Sequence, residues 1–219
     1  MTDFNTCRKN MVDCQLITNG INDEDLLSVY RHLPREKFFS KKHAANAYVD
    51  EDVTCGAGLN MLEPMIEAKM LQSAGIEKRS IILVLGAGAA CLAAAAAQLS
   101  QTVFLVDSSK KQITQLSKTF LDLNVGNVVC EQGTVCDGLS KHGPYDAIFM
   151  GGACSSVSEE LLAQLKDGGC LVSPVRENSI SPSSVVKYTR RGKESLQEVI
   201  CQSNTPYLKG FEAEKGFVF

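Results

Sequence analysis

The stretch Ile81 to Ala97 reads IILVLGAGAACLAAAAA. It runs from aliphatic residues through Gly-Ala-Gly into an alanine-rich segment, the pattern of a strand, a turn and a helix. Without Cβ atoms, Gly86 and Gly88 can take positive φ and let backbone come close to a ligand. The helix that follows presents unpaired N–H groups at its start. Further on, VFLVD ends in Asp107. A carboxylate about 20 residues past such glycines stands where it reaches ribose hydroxyls. It accepts two hydrogen bonds from a diol, so this pairing suits an adenosine-bearing ligand. The dinucleotide pattern G-x-G-x-x-G is not met, because Cys91 occupies the third glycine's place, and no phosphate-binding Lys-Ser/Thr follows. Two structural readings stand beside the ligand reading. Gly86-Ala87-Gly88 can be a tight strand-to-helix turn, and Asp107 with Ser108 and Ser109 can cap the next helix. Asp146, after Pro144-Tyr145, falls at the other end of its strand and reads as structural.

These residues need a scaffold, and from Ser80 onward the sequence supplies one. Strands are expected at Ile81–Leu85, Thr102–Val106, Asn127–Cys130, Asp146–Met150, Cys170–Val175 and Val185–Tyr188, with a last one near Glu198–Cys201. Helices fall between them at Ala89–Leu99, Lys110–Leu123 and Ser158–Leu165, and Lys166-Asp167-Gly168-Gly169 reads as a glycine C-cap on the third. Short apolar strands alternating with helices predict an α/β fold with a mostly parallel sheet covered on both faces. The short turn Arg191-Gly192-Lys193 leaves no room for a crossover helix, so the final two strands should form an antiparallel hairpin.

Residues 1–79 read as a separate helical segment packed on a core of residues 80–219. Met11–Ile21 is weakly amphipathic and stops near Asn19-Gly20. Asn22 can cap the next helix, with Asp23, Glu24 and Asp25 in its first turn. That helix runs through Leu26, Leu27 and Tyr30 and ends before Pro34. Glu63-Pro64 opens another, with Met65, Ile66 and Met70 on one face.

The chain has 219 residues, 44% apolar and 21% charged, with a formal net charge of -3. That balance is ordinary for a globular protein and gives no electrostatic footprint for nucleic acid or an anionic membrane. Ile81 to Leu99 is long enough to consider as a membrane span, yet its alanines insert weakly and it carries an internal Gly-x-Gly. Nine cysteines, an odd count without any C-x-x-C, read as reduced thiols in a cytoplasmic protein. His32, His43 and His142 lack ligand spacing, so no metal is expected.

Several stretches together resemble one family. They are MVDCQL, PREKF, AYVDEDV, the glycine turn, NVVCEQG, GPYDAI and QLKDGGCLVSPV, running from Met11 to Val175. In this order and spacing they are similar to the protein-L-isoaspartate O-methyltransferases, and the ending TPYLKGFEAEKGFVF resembles a divergent bacterial branch. The resemblance implies a Rossmann-like class I methyltransferase: a mostly parallel sheet with a C-terminal antiparallel hairpin, helices on both faces and extra N-terminal helices. It implies S-adenosylmethionine as cofactor, S-adenosylhomocysteine as product, and no metal. On that reading Gly86, Ala87 and Gly88 lie under the cofactor, Asp107 and Ser108 meet its ribose end, and Gly133 and Thr134 flank adenine. The implied substrate is an isoaspartyl peptide or protein, methylated on its misplaced carboxylate to start repair through a succinimide. No single catalytic residue is implied, and a monomer is expected.

The departures from the family pattern have physical consequences. Val84 stands where the family has an acid, Ala90 replaces a glycine, Cys91 an aromatic residue, and Thr134 the acid that fixes adenine. The family's Thr-Ile-Ser falls on Asn60-Met61-Leu62, with Glu63 next. A carboxylate acceptor is already ionised at neutral pH, so loss of the serine hydroxyl removes no indispensable proton acceptor. Lost charged hydrogen bonds are different, at about 1.5–3 kcal/mol each. Val84 and Thr134 together predict cofactor binding weakened about a hundredfold or more. A non-catalytic methyltransferase-fold binding protein is therefore one alternative reading. A methyltransferase acting on another acceptor, such as an amine or amide held by Asn60 and Glu63, is the other. A Glu63 turned into the cleft would repel an anionic substrate; in the first turn of its helix it would not.

Overall fold

A computed structural model describes residues 3–56, 59–178 and 181–213. The central sheet has seven strands: β3 (Ile81–Leu85), β4 (Thr102–Asp107), β5 (Val128–Gln132), β6 (Tyr145–Met150), β7 (Leu165–Val175), β8 (Ser183–Arg191) and β9 (Glu194–Ser203). Their order across the sheet is β5-β4-β3-β6-β7-β8-β9. The strands from β5 to β7 pair in parallel, and β8 and β9 pair antiparallel, so the expected C-terminal hairpin is present. Ile82 and Val84 enter one apolar core, while Leu83 and Leu85 enter the other; all four are fully buried. This period of two, with both faces covered, is what a central parallel strand requires. Strand order reverses between β3, which leads outward to β4 and β5, and β6. The crevice at that switch point is where ligands bind in open α/β sheets.

One face of the sheet carries most of the helices: α1 (Phe4–Met11), α2 (Glu24–His32), α3 (Pro64–Ala74), α4 (Ala90–Leu99) and α5 (Lys110–Asp122). The other face holds α6 (Glu159–Leu162) and the segments around Val135 and Phe211. The alanines of α4 explain themselves here. From Ala90 to Ala97 every residue is buried, and α2, α3 and the sheet all pack on this one helix. Small side chains on every side let three neighbours approach at once. Ile81 to Leu99 is thus β3, a turn and α4, and among the described residues no helix is long and apolar enough to cross a membrane.

The structure corrects the sequence reading in four places. First, the cap of α2 is Asp23, whose Oδ1 accepts from Leu26 N at 3.0 Å; Asn22 instead donates its backbone N–H to Gln72. Second, Lys166-Asp167-Gly168-Gly169 belongs to β7 and not to a helix end. Tyr145 pairs with Leu165 and Ala147 with Cys170, so a bulge lies between them, and Gly168 supplies its φ of 81°. Third, the N-terminal segment is not wholly helical: β1 (Val53–Gly56) and β2 (Leu59–Met61) form a small antiparallel hairpin. Fourth, Asn127 lies before β5, and its amide ties Ala97 O to the loop after α4. Asp146 is structural as expected, accepting from Ile81 N at 2.7 Å and pairing with Lys166. Phe211 docks on its own chain, while Phe217 and Phe219 lie outside the described residues.

A buried ion pair fastens the N-terminal segment to the core. Arg35 donates through Nε to Ala47 O at 2.8 Å, through Nη1 to Glu67 and through Nη2 to Leu62 O. Arg35 is 3% exposed and Glu67 0%. Burial works against the Arg35 charge, and Glu67, with Cys91 and Tyr30, outweighs it and holds the guanidinium protonated. Three elements meet at this one side chain: the turn Arg35–Phe38, the segment before β1 and the start of α3. Truncating Glu67→Ala leaves a buried guanidinium without its counter-charge, and the expected loss is about 3–5 kcal/mol in urea unfolding. An effect below about 1 kcal/mol, the range of a solvated surface pair, would show that the pair is solvated rather than buried.

Candidate active site

The turn after β3 is built from Gly86, with φ of 96°, and a short 3-10 turn Ala87–Ala89 that feeds α4. Asp107 ends β4 beside it. Its Oδ2 accepts from Ala87 N at 2.8 Å and its Oδ1 from Ser109 N at 2.8 Å. Ser109 in turn caps α5, accepting from Gln112 N. Asp107 thus braces the cap residue of the next helix through the Ser109 N–H and also holds the glycine turn through Ala87 N. Each carboxylate oxygen takes one N–H and has acceptor capacity left. The carboxylate is 8% exposed, at the edge of an open cleft.

That cleft measures about 420 Å³. Ala87, Gly88, Asp107 and Ser108 line it, together with Leu59 and Asn60 from β2 and Pro206 to Lys209 from the segment after β9. Four of the seven expected cofactor residues thus share one hollow. Gly86 lies beneath it, covered by Leu208. Gly133 and Thr134 follow β5 and do not line this cleft. Gly133 donates its N–H to Asp107 O at 3.1 Å, and Thr134 is exposed at the start of a 3-10 turn.

Gly88 is required by the chain's own packing and Gly86 by its positive φ. A Cβ on Gly88 would run into Asn60 O and come within 2.8 Å of Gly151 O. On Gly86 it would lie 2.7 Å from Leu208 Cδ1. Backbone of β2 and the Leu208 side chain therefore roof the turn, and the cleft is what remains open beside them. Sequence reading had no handle on Gly151 or on Pro206–Lys209, since nothing in their types marks them as neighbours of a turn so distant in the chain. Pro-Tyr-Leu after the last strand is the only cue.

The substituted positions are now placed as well. Val84, Ala90 and Cys91 are fully buried, and Cys91 Sγ sits 4.0 Å from Arg35 O. Leu62 is buried, with its carbonyl held by Arg35. The Asn60 side chain turns across the hairpin, its Oδ1 accepting from Thr54 Oγ1 at 2.8 Å. Glu63 stands at the start of α3, as its helix-terminus reading requires, and is absent from the lining of the cleft. Its backbone N–H goes to Asp52 Oδ1 at 2.8 Å. Burial, then Asp52, Asp50 and Glu51, push its carboxyl up to about 7 against the pull of Arg35.

An open parallel sheet with a glycine turn at its switch point, an acid after the next strand and an antiparallel tail is the architecture of the Rossmann-like methyltransferases. Two solved structures share it across nearly the whole chain. A protein-L-isoaspartate O-methyltransferase matches with TM-score 0.82 at 20% identity, over 94% of this chain and 67% of its own. A Plasmodium falciparum structure described as a putative protein-L-isoaspartate O-methyltransferase in complex with S-adenosyl-L-homocysteine matches with TM-score 0.76 at 16% identity, over 95% and 99%. The sequence narrows this further. The model of the protein-L-isoaspartate(D-aspartate) O-methyltransferase family matches residues 7–207. The protein-L-isoaspartate O-methyltransferase of Shewanella pealeana is 36% identical over 83% of this chain and 84% of its own. That of Aliivibrio fischeri is 32% identical over 88% and 91%. The chain belongs to the protein-L-isoaspartate O-methyltransferase family.

The Glu63 environment yields a pH prediction. Its folded pKa of about 7 lies above the ordinary 4.5, so its contribution to stability is complete below about 4.5 and is lost as pH rises through about 7. Glu63→Gln cannot ionise. Its urea midpoint should gain on wild type between pH 4.5 and pH 8; a constant difference would place Glu63 in ordinary solvent.

Proposed function

We propose that this chain binds S-adenosylmethionine at the Asp107 cleft and methylates the carboxylate of isoaspartyl residues in peptides or proteins. The observation that carries the reading is Asp107 beside the glycine turn, its oxygens pinned by two backbone N–H groups yet open to the cleft. The residues present fit the cofactor in three respects. The volume lies in the range of small-ligand sites. The acid keeps acceptor sites for a diol. Ser108 and Ser109 stand beside it with further polar groups. When bound, the cofactor supplies an electrophilic methyl on a sulfonium.

What remains for the chain is positioning. The acceptor carboxylate is ionised at neutral pH, so no side chain has to remove a proton. Asp107, Ala87 and Gly88 hold one reactant against fixed backbone. Asn60 and Leu59, on a hairpin tied back to Arg35 through Leu62, wall the same hollow and help exclude water. The Leu62 side chain offers no hydroxyl, and Thr134 no carboxylate. The first weakens positioning of the acceptor, and the second, together with Val84, points to weaker cofactor binding than a site with the full family pattern. The odd set of nine cysteines supports a reducing, cytoplasmic setting, and docking of Phe211 on its own sheet supports a monomeric repair enzyme.

Calorimetry with S-adenosylhomocysteine tests the reading directly. Binding at micromolar to sub-millimolar concentration is expected, weakened at least tenfold in Asp107→Ala. Methyl transfer from labelled S-adenosylmethionine to an isoaspartyl peptide, but not to its aspartyl counterpart, is expected to follow the same loss. No heat and no thermal shift at millimolar S-adenosylhomocysteine would leave only a scaffold.

A further inference from the structure

The segment after β9 is bound to the switch point more tightly than a tail needs to be. Ala153 N donates to Pro206 O at 2.8 Å, and Leu208 N donates to Ala153 O at 2.8 Å. Ser155 N donates to Phe211 O at 2.9 Å, and Tyr207 Oη to Arg176 O at 2.9 Å. The strap Pro206–Phe211 thus runs along the loop that leaves β6, and Pro206, Tyr207, Leu208 and Lys209 all line the cleft.

Gly152 is what lets it lie there. A Cβ at this position would stand 2.9 Å from Leu208 Cα, from Leu208 Cβ and from Leu208 N. Two of those three atoms belong to backbone, so a side-chain rotation would not relieve the clash. The φ of Gly152 is not in the left-handed region, so its conformation does not demand glycine; its neighbour does. From Gly152 the Leu208 side chain reaches across to Gly86, where a Cβ would meet its Cδ1. One leucine therefore spans the ends of β6 and β3, the two strands that flank the crevice.

We infer that Gly152 is a positioning residue for the cofactor cleft: its missing Cβ lets the strap close down, and Leu208 then forms a retaining wall over the glycine turn. The wall encloses the same hollow as Asp107 and Ala87. The inference rests on the proposed cofactor reading for its functional half, and on packing alone for its structural half. With the strap lifted, S-adenosylhomocysteine would lose one side of its enclosure and leave faster, while Asp107 and its backbone partners stayed in place.

Gly152→Ala tests both halves in the full-length chain. Amide hydrogen exchange at Leu208 and Ser155, whose N–H groups bond to Ala153 O and Phe211 O between the strap and the loop after β6, needs no ligand and reports whether the strap has lifted. S-adenosylhomocysteine titration reports the wall. Faster exchange at both amides with affinity down at least tenfold is expected. Gly126→Ala, at a glycine with no neighbour within 4 Å of an added Cβ, serves as the control that leaves both unchanged. Should Gly152→Ala fold poorly, Leu208→Ala keeps the strap's backbone and removes the contact on Gly86, and the same tenfold loss is expected. Unchanged exchange in Gly152→Ala overturns the packing claim. Faster exchange with unchanged affinity overturns the wall. A wild-type chain that takes up no S-adenosylhomocysteine overturns the functional reading, and the wall with it, whereas the exchange data still report the strap.

Discussion

The Asp107 carboxylate carries the organisation of the site. With one oxygen it fixes Ala87 N on the glycine turn, and with the other it fixes Ser109 N at the head of α5. Two strand-to-helix turns from neighbouring strands are thereby locked to each other across the crevice. A charge-assisted bond to backbone N–H is shorter and stronger than a neutral one, so a small number suffice. The same carboxylate remains at the cleft's edge, able to accept further bonds. The same two backbone bonds fix the direction in which the carboxylate faces the cleft.

Around that fixed point two separate stretches of chain complete the hollow. The β1–β2 hairpin brings Asn60 against Gly88, and the strap brings Leu208 against Gly86 and Gly152. The hairpin is in turn anchored by the buried Arg35, which reaches Leu62 O, Ala47 O and Glu67 at once. The N-terminal segment is therefore part of the site's construction and not only a cover. It also explains how a glycine turn with substitutions on all sides keeps its shape. Val84, Ala90 and Cys91 are sealed in the core, where an apolar residue of suitable size serves packing.

Much of this was legible beforehand. Ile81–Leu85 is a strand over the expected residues, and the helix beginning at Lys110 and the antiparallel tail are present. These features are local: alternation, helical period and turn length are written in adjacent residues. The misreadings are where local signals compete. Gly168 and Gly169 look like a helix stop in sequence, but pairing with β6 draws them into a bulged strand. Asn22 and Asp23 are both good caps and both give their backbone N–H to Gln72; the side chain that accepts from Leu26 N, that of Asp23, separates them. The β1–β2 hairpin is too short to show a period at all.

By itself the sequence determined the kind of fold, the place of the crevice and the acid at its edge, because each follows from residues close together in the chain. It also determined the family, through motifs whose order and spacing carry the resemblance. Only the tertiary structure decided what the glycines are for. Gly88 owes its identity to the backbone of Asn60 and Gly151 and Gly152 to Leu208, contacts between residues far apart in the chain, while Gly86 answers to its own positive φ. Such contacts leave no periodic trace, since a missing Cβ records that something lies close by and not what it is.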